Sequence, residues 1–326
     1  MQSPGYITEV GGLSVGHVTD AVGLTGCTVI LCDEPMTGGV DVRGSATGTR
    51  EIELLRPTHL IRQVHAVMLC GGSAYGLDAA SGVMKYLEEH DRGFDIKIAR
   101  IPIVPAAILM DLGIGDPNAR PDADMGYRAC EGAANGKFER GNVGAGTGAT
   151  VGKMYGTAFA MKTGLGTACL DLHGGVKVGA IVAVNALGDV RDPSTGKIIA
   201  GTRNPDQSGF LDTEKALSGD LSSTIWGFTN TVIGLVATNA CLGKEDTNKV
   251  AQMASSGLAR CITPAHTEFD GDVVFALGRA QSELTAPVSA IGSAASRAMS
   301  LAILDAVFSA KSAGGLPAAS DPGFST

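Results

Sequence analysis

Apolar residues fall along the chain in two rhythms. Short continuous apolar runs read as buried strands: Cys27–Cys32 (CTVILC), Val64–Cys70 (VHAVMLC, closing on Gly71-Gly72) and Thr231–Asn239 (TVIGLVATN). Ile96–Val104 alternates and is predicted as a strand. So are Thr157–Asp171 and Val176–Asn185, separated by a turn at His173-Gly174-Gly175. Helical spacing appears at Leu77, Ala80, Met84 and Leu87, and again at Val250, Met253, Ala254, Gly257, Leu258 and Cys261. Asp272–Leu277 predicts a further strand. Val288–Ser309 predicts a long helix with Ala and Gly around most of its circumference, suited to burial between layers or at a subunit interface.

Strands come with helices in both halves of the chain, without a strict βαβαβ rhythm. That pattern favours an α/β (α+β) fold of stacked sheets with helices outside over a doubly wound parallel sheet. No linker, repeat or low-complexity segment divides the sequence, so residues 1–326 read as a single domain. Gly201–Ser223 is polar, aperiodic and rich in turn residues, and predicts an exposed excursion ahead of the strand at Thr231.

Composition narrows the class. Glycine supplies 46 of 326 residues, about twice the usual share. These glycines have no three-residue period, which excludes collagen. With 44% hydrophobic and 18% charged residues the chain is too apolar to be disordered. The net charge of −8 and the lack of basic runs leave no electrostatic footprint for nucleic acid. The N-terminus lacks a secretory pattern, and no uncharged apolar run reaches membrane-span length; the most apolar stretch, Leu301–Phe308, contains Asp305. Seven scattered cysteines read as reduced, buried thiols of a cytoplasmic protein.

Four segments carry candidate chemistry. Gly144-Ala-Gly-Thr-Gly-Ala-Thr-Val-Gly-Lys153 evokes a phosphate loop. The required glycine is Thr147, however, and the required Ser or Thr after the lysine is Met154. What remains is a tight turn, or a close backbone approach with Lys153 pointing into a site. Gly71-Gly-Ser-Ala-Tyr-Gly-Leu-Asp78 joins a strand to a helix start able to hold negative charge, without the dinucleotide fingerprint. Pro264-Ala-His-Thr-Glu-Phe-Asp-Gly-Asp272 gathers His266, Glu268, Asp270 and Asp272, without calcium-loop or zinc spacing. Asp270 and Asp272, two apart, share a side if extended and suit a cation such as an ammonium. In Phe228-Thr-Asn-Thr-Val-Ile-Gly-Leu-Val-Ala-Thr-Asn239, Asn230-Thr231 lies where the polar excursion meets an apolar strand. The six histidines include no obvious base for a Ser-His-Asp arrangement.

In order and spacing these motifs resemble the DmpA-type aminopeptidases, self-processing N-terminal-nucleophile hydrolases whose relatives include β-peptidyl aminopeptidases and nylon-oligomer hydrolases. The likeness runs nearly end to end. It includes GGLSVGH at Gly11–His17, GCTVI at Gly26–Ile30, VDVRGSATGTRE at Val40–Glu51, CGGSAYGLDAASGV at Cys70–Val83, GAGTGATVGK, VGAIVAVNALGDV, NTVIGLVATNA and HTEFDGD. The resemblance implies a four-layer αββα sandwich and self-cleavage between Asn230 and Thr231, giving chains 1–230 and 231–326. Thr231 is then the nucleophile and its freed amine the base. Asn185 offers its amide to the oxyanion, Lys153 supplies positive charge, and Asp270 and Asp272 orient the Thr231 amine and hydroxyl. Gly71, Gly72, Ser73 and Glu268 are candidates for substrate binding, with Glu268 or Asp270 able to hold a substrate ammonium. The resemblance further implies a peptide or amide substrate, no metal or cofactor, and a homo-oligomer, a tetramer of processed units.

The sequence departs from the family at two places. Some members use a serine nucleophile with Ser-x-Glu where this chain has Asp270-Gly-Asp272, which draws it towards the nylon-oligomer branch. Met110 stands where members carry a tyrosine. Two other functions fit the same residues less closely: acyl transfer of the ornithine-acetyltransferase kind, and an uncleaved binding scaffold. The glycine runs at Gly71–Gly72, Gly144–Gly152 and Gly271 are expected to let backbone approach the Thr231 amine and the substrate carbonyl.

Overall fold

The computed structural model describes residues 4–206, 209–219 and 230–323. Residues 207–208 and 220–223 of the expected excursion, and Phe228-Thr229, lie outside them. In chain order the principal elements are β1 (Leu13–Asp20), β2 (Thr25–Val42), β3 (Gln63–Cys70), α1 (Ala79–Glu89), β4 (Ala106–Ile108), α2 (Ala123–Glu131), β5 (Leu165–Asp171), β6 (Lys177–Asn185), β7 (Thr231–Cys241), α3 (Lys244–Cys261), β8 (Val273–Arg279) and α4 (Val288–Ser309).

One hydrogen-bonded path runs β5-β6-β7-β8-β2-β3-β4, with β1 also on β2. β7–β8 and β3–β4 are parallel; the other pairs are antiparallel. β2 serves two layers. Its first half, from Thr25 to Cys32, pairs with β1, while Met36 to Val42 pair with β8. Between them Asp33, Glu34 and Pro35 are exposed, where the strand crosses from one layer to the other.

Period-two alternation sorts the side chains of each strand into layers. On β7, Val232, Val236 and Ala240 join the core packed by α3 and α4. Ile233, Leu235 and Ala237 instead face Ile30, Leu69 and Leu109 of the other sheet half. On that half Cys27, Val29, Leu31, Ala66 and Met68 pack against Ala80, Val83 and Leu87 of α1 and Ala129 of α2. The result is helix pair, sheet, sheet, helix pair: the αββα order. A one-residue slip of β7 would exchange its two apolar sets and break both cores.

Helix α4 has the bounds read from the sequence. It is long and apolar enough to cross a membrane, and 67% of its most apolar window is buried inside the protein, where it packs against the sheet and α3. A Cβ on Gly257 of α3 would lie 2.4 Å from the Ser296 carbonyl oxygen, which measures how closely α3 and α4 approach. Asp305, the charge inside this apolar helix, is held by Arg140 at 2.5 Å and by the Thr167 amide at 3.0 Å.

Two sequence expectations change. The strand expected at Ile96–Val104 is instead the tip and return of a short exposed hairpin, with Phe94–Asp95 paired to Arg100–Ile101. There Asp95 accepts the Lys97 amide at 2.7 Å, Lys97 takes φ +73°, and Pro102 ends the pairing. The long strand expected over Thr157–Asp171 shortens to β5; its first part is a helical turn at Thr157–Phe159 and a bridge at Met161–Lys162. β1 and α2 had no clear apolar rhythm; α2 is announced by Asp122, which caps it by accepting the Met125 amide at 2.9 Å. The His173-Gly174-Gly175 turn forms as expected, with positive φ at both glycines.

Candidate active site

Thr231 opens β7, and its antiparallel neighbour is Asn185, the last residue of β6. Both side chains lie on the odd-numbered face of their strands, towards the other sheet half, at one end of the central strands. Asn230, Thr231, Asn185, Lys153, Asp270 and Asp272 are all buried. Strand pairing therefore brings together residues spread over 120 positions of sequence.

The Thr231 hydroxyl donates to the carbonyl oxygen of Asn230. The same carbonyl accepts the Gly271 amide at 3.0 Å, in a parallel bridge that sets Asn230 beside Asp270. An alanine side chain at Gly271 would reach within 2.8 Å of Thr231 Oγ1 and 2.6 Å of the Ala46 carbonyl oxygen. Glycine is thus required here for close approach. The other glycine runs serve different neighbours. Gly71 leaves room for Asp111 and Thr25, Gly72 lies against Pro121, Gly144 against Thr28, and Gly152 against Gly201-Thr202. Of these glycines, Gly271 is the one whose added Cβ would meet the Thr231 side chain among its nearest neighbours.

Asn185 is oriented by its oxygen. Oδ1 accepts the Thr150 amide at 3.0 Å, the Thr150 hydroxyl at 3.3 Å and Lys153 Nζ at 2.8 Å. Those donors fix Nδ2 on the opposite side, where one hydrogen goes to the Met110 carbonyl oxygen at 3.0 Å. Position 110 therefore does lie at the site, and contributes its backbone. The glycine-rich segment ending at Lys153 is the support of this amide rather than a phosphate cradle.

The two aspartates are buried but not stacked on one extended face. Asp270 Oδ2 accepts the Thr267 amide at 2.9 Å and hydroxyl at 2.6 Å, and Oδ1 faces the Leu187 amide at 3.4 Å. Asp272 Oδ1 accepts the Val232 amide at 2.8 Å, and Oδ2 faces His266 Nδ1 at 2.8 Å. Burial, then the charge of Asp272, raises Asp270 above the usual carboxylate range. Glu268, in the same segment, is exposed, and Ser73 is half-buried at φ +54° with its amide on the Leu109 carbonyl oxygen.

Two buried charges at this end were not singled out from the sequence. Asp111 accepts the Gly72 amide at 2.7 Å and the Thr25 hydroxyl at 2.8 Å. It shares with Lys153 a cavity of about 10 Å³, room for about one water molecule. Lys162 Nζ donates to the carbonyl oxygens of Gly146 at 3.2 Å, Ala149 at 2.8 Å and Thr163 at 2.5 Å, pinning the glycine-rich segment from beneath. Isolated in sequence, both look like surface charges; only their burial marks them.

Burial pulls Lys153 down to about 7, opposed by the charges of Asp270 and Asp111, and pulls Lys162 down to about 7, opposed by Asp111. Unfolded lysines keep their protons to about pH 10, so above pH 7 the unfolded chain binds more protons and stability rises with pH. Cys27 and Cys32, pushed up to about 12 by burial, act oppositely once unfolded thiols ionise near pH 8.5. Urea midpoints of the single-chain Thr231→Ala protein should therefore climb between about pH 7 and 8.5, each lysine adding on the order of 1 kcal/mol per pH unit. The Lys162→Met chain should lose about half of that slope; an unchanged slope would refute the assignment to Lys162.

All seven cysteines are unpaired, five of them buried, in keeping with the reduced-thiol reading. Among the described residues no group of three or more His, Cys, Asp or Glu side chains is arranged to hold a metal ion.

The layered fold and this buried hydroxyl, amide, lysine and carboxylate cluster belong to a hydrolase of peptide or amide bonds. The model of peptidase family S58 matches residues 5–319, and the chain is a member of that family, the DmpA family. An uncharacterised aminopeptidase of Mycobacterium leprae is 40% identical over 95% of this chain and 92% of its own length. A 6-aminohexanoate-oligomer endohydrolase of Paenarthrobacter ureafaciens is 31% identical over 90% of this chain and 84% of its own. Among solved structures, a Burkholderia β-aminopeptidase superposes with a TM-score of 0.71 at 22% identity, covering 97% of this chain and 91% of that one. The L-aminopeptidase D-Ala-esterase/amidase of Ochrobactrum anthropi, described as a variant of the Ntn-hydrolase fold, gives 0.71 at 18% identity, with 97% and 89% covered. The likeness to these two structures is one of fold.

Proposed function

We propose that the chain activates itself by cutting the Asn230–Thr231 bond, and then hydrolyses amide substrates with Thr231 as an N-terminal nucleophile. The observation that carries this reading is the Asn230 carbonyl, which receives the Thr231 hydroxyl and the Gly271 amide together. The first contact sets a nucleophile against the bond to be broken; the second polarises it.

Thr231 Oγ1 adds to the Asn230 carbonyl carbon while the hydroxyl proton passes to the Thr231 nitrogen. The C–N bond breaks and leaves an ester. The break frees the Thr231 α-amine, and water then hydrolyses the ester, restoring the hydroxyl and releasing Asn230 as a C-terminal carboxylate. A threonine hydroxyl needs a base, and an α-amine, with an ordinary pKa of about 7.7–8.0, suits neutral pH. Before the cut that nitrogen is an amide, so the uncut chain is inert.

In turnover the same hydroxyl attacks a substrate carbonyl, Asn185 Nδ2 donates to the oxyanion of the tetrahedral intermediate, and loss of the amine gives an acyl-enzyme that water hydrolyses. The substrate proposed is a small peptide or amide. The mycobacterial relative is named an aminopeptidase and the Paenarthrobacter relative a 6-aminohexanoate-oligomer endohydrolase, and both kinds of substrate fit a hydroxyl nucleophile. Intact mass spectrometry tests the first step. The purified protein should give two chains of about 23 and 10 kDa, in proportion to residue number, from the 33.1 kDa precursor. An active protein that remains one chain overturns the reading.

A further inference from the structure

The segment at His266-Thr267 grips both aspartates beside Thr231. Thr267 holds Asp270 through its amide and hydroxyl, while His266 holds Asp272. His266 adopts φ +60°, a left-handed conformation uncommon outside glycine. That conformation brings its ring nitrogen and its own backbone amide onto the same oxygen, Asp272 Oδ2, at 2.8 and 3.3 Å. The other oxygen of Asp272 takes the Val232 amide, one residue beyond Thr231. A chain of two hydrogen bonds thus links the imidazole to the strand that carries the nucleophile.

We propose that His266 is a positioning residue for the Thr231 amine: as an imidazolium it fixes Asp272 and offsets the negative charge that the two aspartates place beside that amine. This rests on Thr231 acting as an N-terminal nucleophile. Two carboxylates alone would favour the protonated amine and so weaken it as a base. Lys153, the cation expected to counter them, is directed at Asn185 and loses its proton near neutrality through burial. Lys153 acts on Asp270 through its charge, whereas His266 is in direct contact with Asp272.

The groups acting on the His266 ring are Asp272 in contact, Asp270, and Arg43, whose guanidinium pairs with Asp41 at 2.6 Å. Burial works against the imidazolium, but the hydrogen bond and charge of Asp272 outweigh it and raise His266 above its ordinary value. His266 is half-buried, so the pair is accessible to solvent protons.

His266→Asn keeps an N–H donor near the position of Nδ1 and removes the charge. The cut variant should show the acid limb of its kcat/KM profile moved to higher pH by about half a unit or more, with kcat on the alkaline plateau unchanged. His266→Lys, which restores a cation, should move the limb back. A limb identical to wild type in the Asn variant overturns the proposal, because loss of packing alone would lower kcat without moving the profile. A second reading needs no variant. In the processed wild-type enzyme the imidazole of His266, followed by NMR, must titrate above about 6.5, and titration at or below that value also overturns it. Failure of the nucleophile assignment would appear separately, as a Thr231→Ala chain that is still cut and active.

Discussion

The Thr231→Ala chain will remain a single polypeptide of 33.1 kDa and will lose at least about 10⁴-fold in kcat/KM, the scale on which removing a nucleophile disables an enzyme that depends on it. Thr231 is buried, and alanine removes its hydroxyl and its γ-methyl, beside Gly271. Loss of one buried methyl costs about 1 kcal/mol, small against the stability of a domain, so the uncut chain should fold. Its far-ultraviolet circular dichroism should match the wild-type precursor. Thr231→Ser keeps the hydroxyl and should still be cut. Denaturing gels and a chromogenic amide assay read both results. A Thr231→Ala preparation that splits at residue 230 would place the nucleophile elsewhere.

Asn185→Asp will cut turnover by about 10²–10³, the loss that follows removal of one oxyanion donor. Aspartate has nearly the same shape and can still accept from Thr150 and Lys153, as Oδ1 does now. What it lacks is the amide hydrogens of Nδ2, one of which faces the Met110 carbonyl oxygen. The loss should fall on kcat with KM little changed, since an oxyanion donor works mainly as charge develops on the carbonyl. A large KM effect with kcat preserved would instead make Asn185 a substrate-binding residue.

Much of the layering was legible from apolar periodicity, because buried strands and helices must carry it. TVIGLVATN announces β7, and the Ala-rich run announces α4 to the residue. The exposed hairpin at Phe94–Ile101 misleads for the same reason: it leaves Ile96 and Ile98 in solvent, where periodicity has no packing to report. The site was legible by resemblance and far less by spacing. Nothing local says that Asn185 lies across from Thr231, since that register depends on strands far apart in sequence. Asp111 and Lys162 escaped because a single charge in sequence carries no sign of burial. His266 was visible as part of a charged cluster, but its hold on Asp272 depends on a left-handed turn that only coordinates reveal.

The sheet order has a consequence for what the proposed self-cleavage would leave behind. β7 and β8 belong to the 231–326 segment, yet they lie between β6 and β2, both from the segment before the cut. The smaller piece is woven into the middle of the larger, and its two helices close one outer face. Two severed chains so interleaved stay together without any covalent link, and separating them means unzipping a ladder on each side. The precursor folds with all its strands on one chain, whereas the processed molecule, once fully denatured, must find its partner by collision. The proposed cut would thus turn a concentration-independent folding problem into a bimolecular, concentration-dependent one.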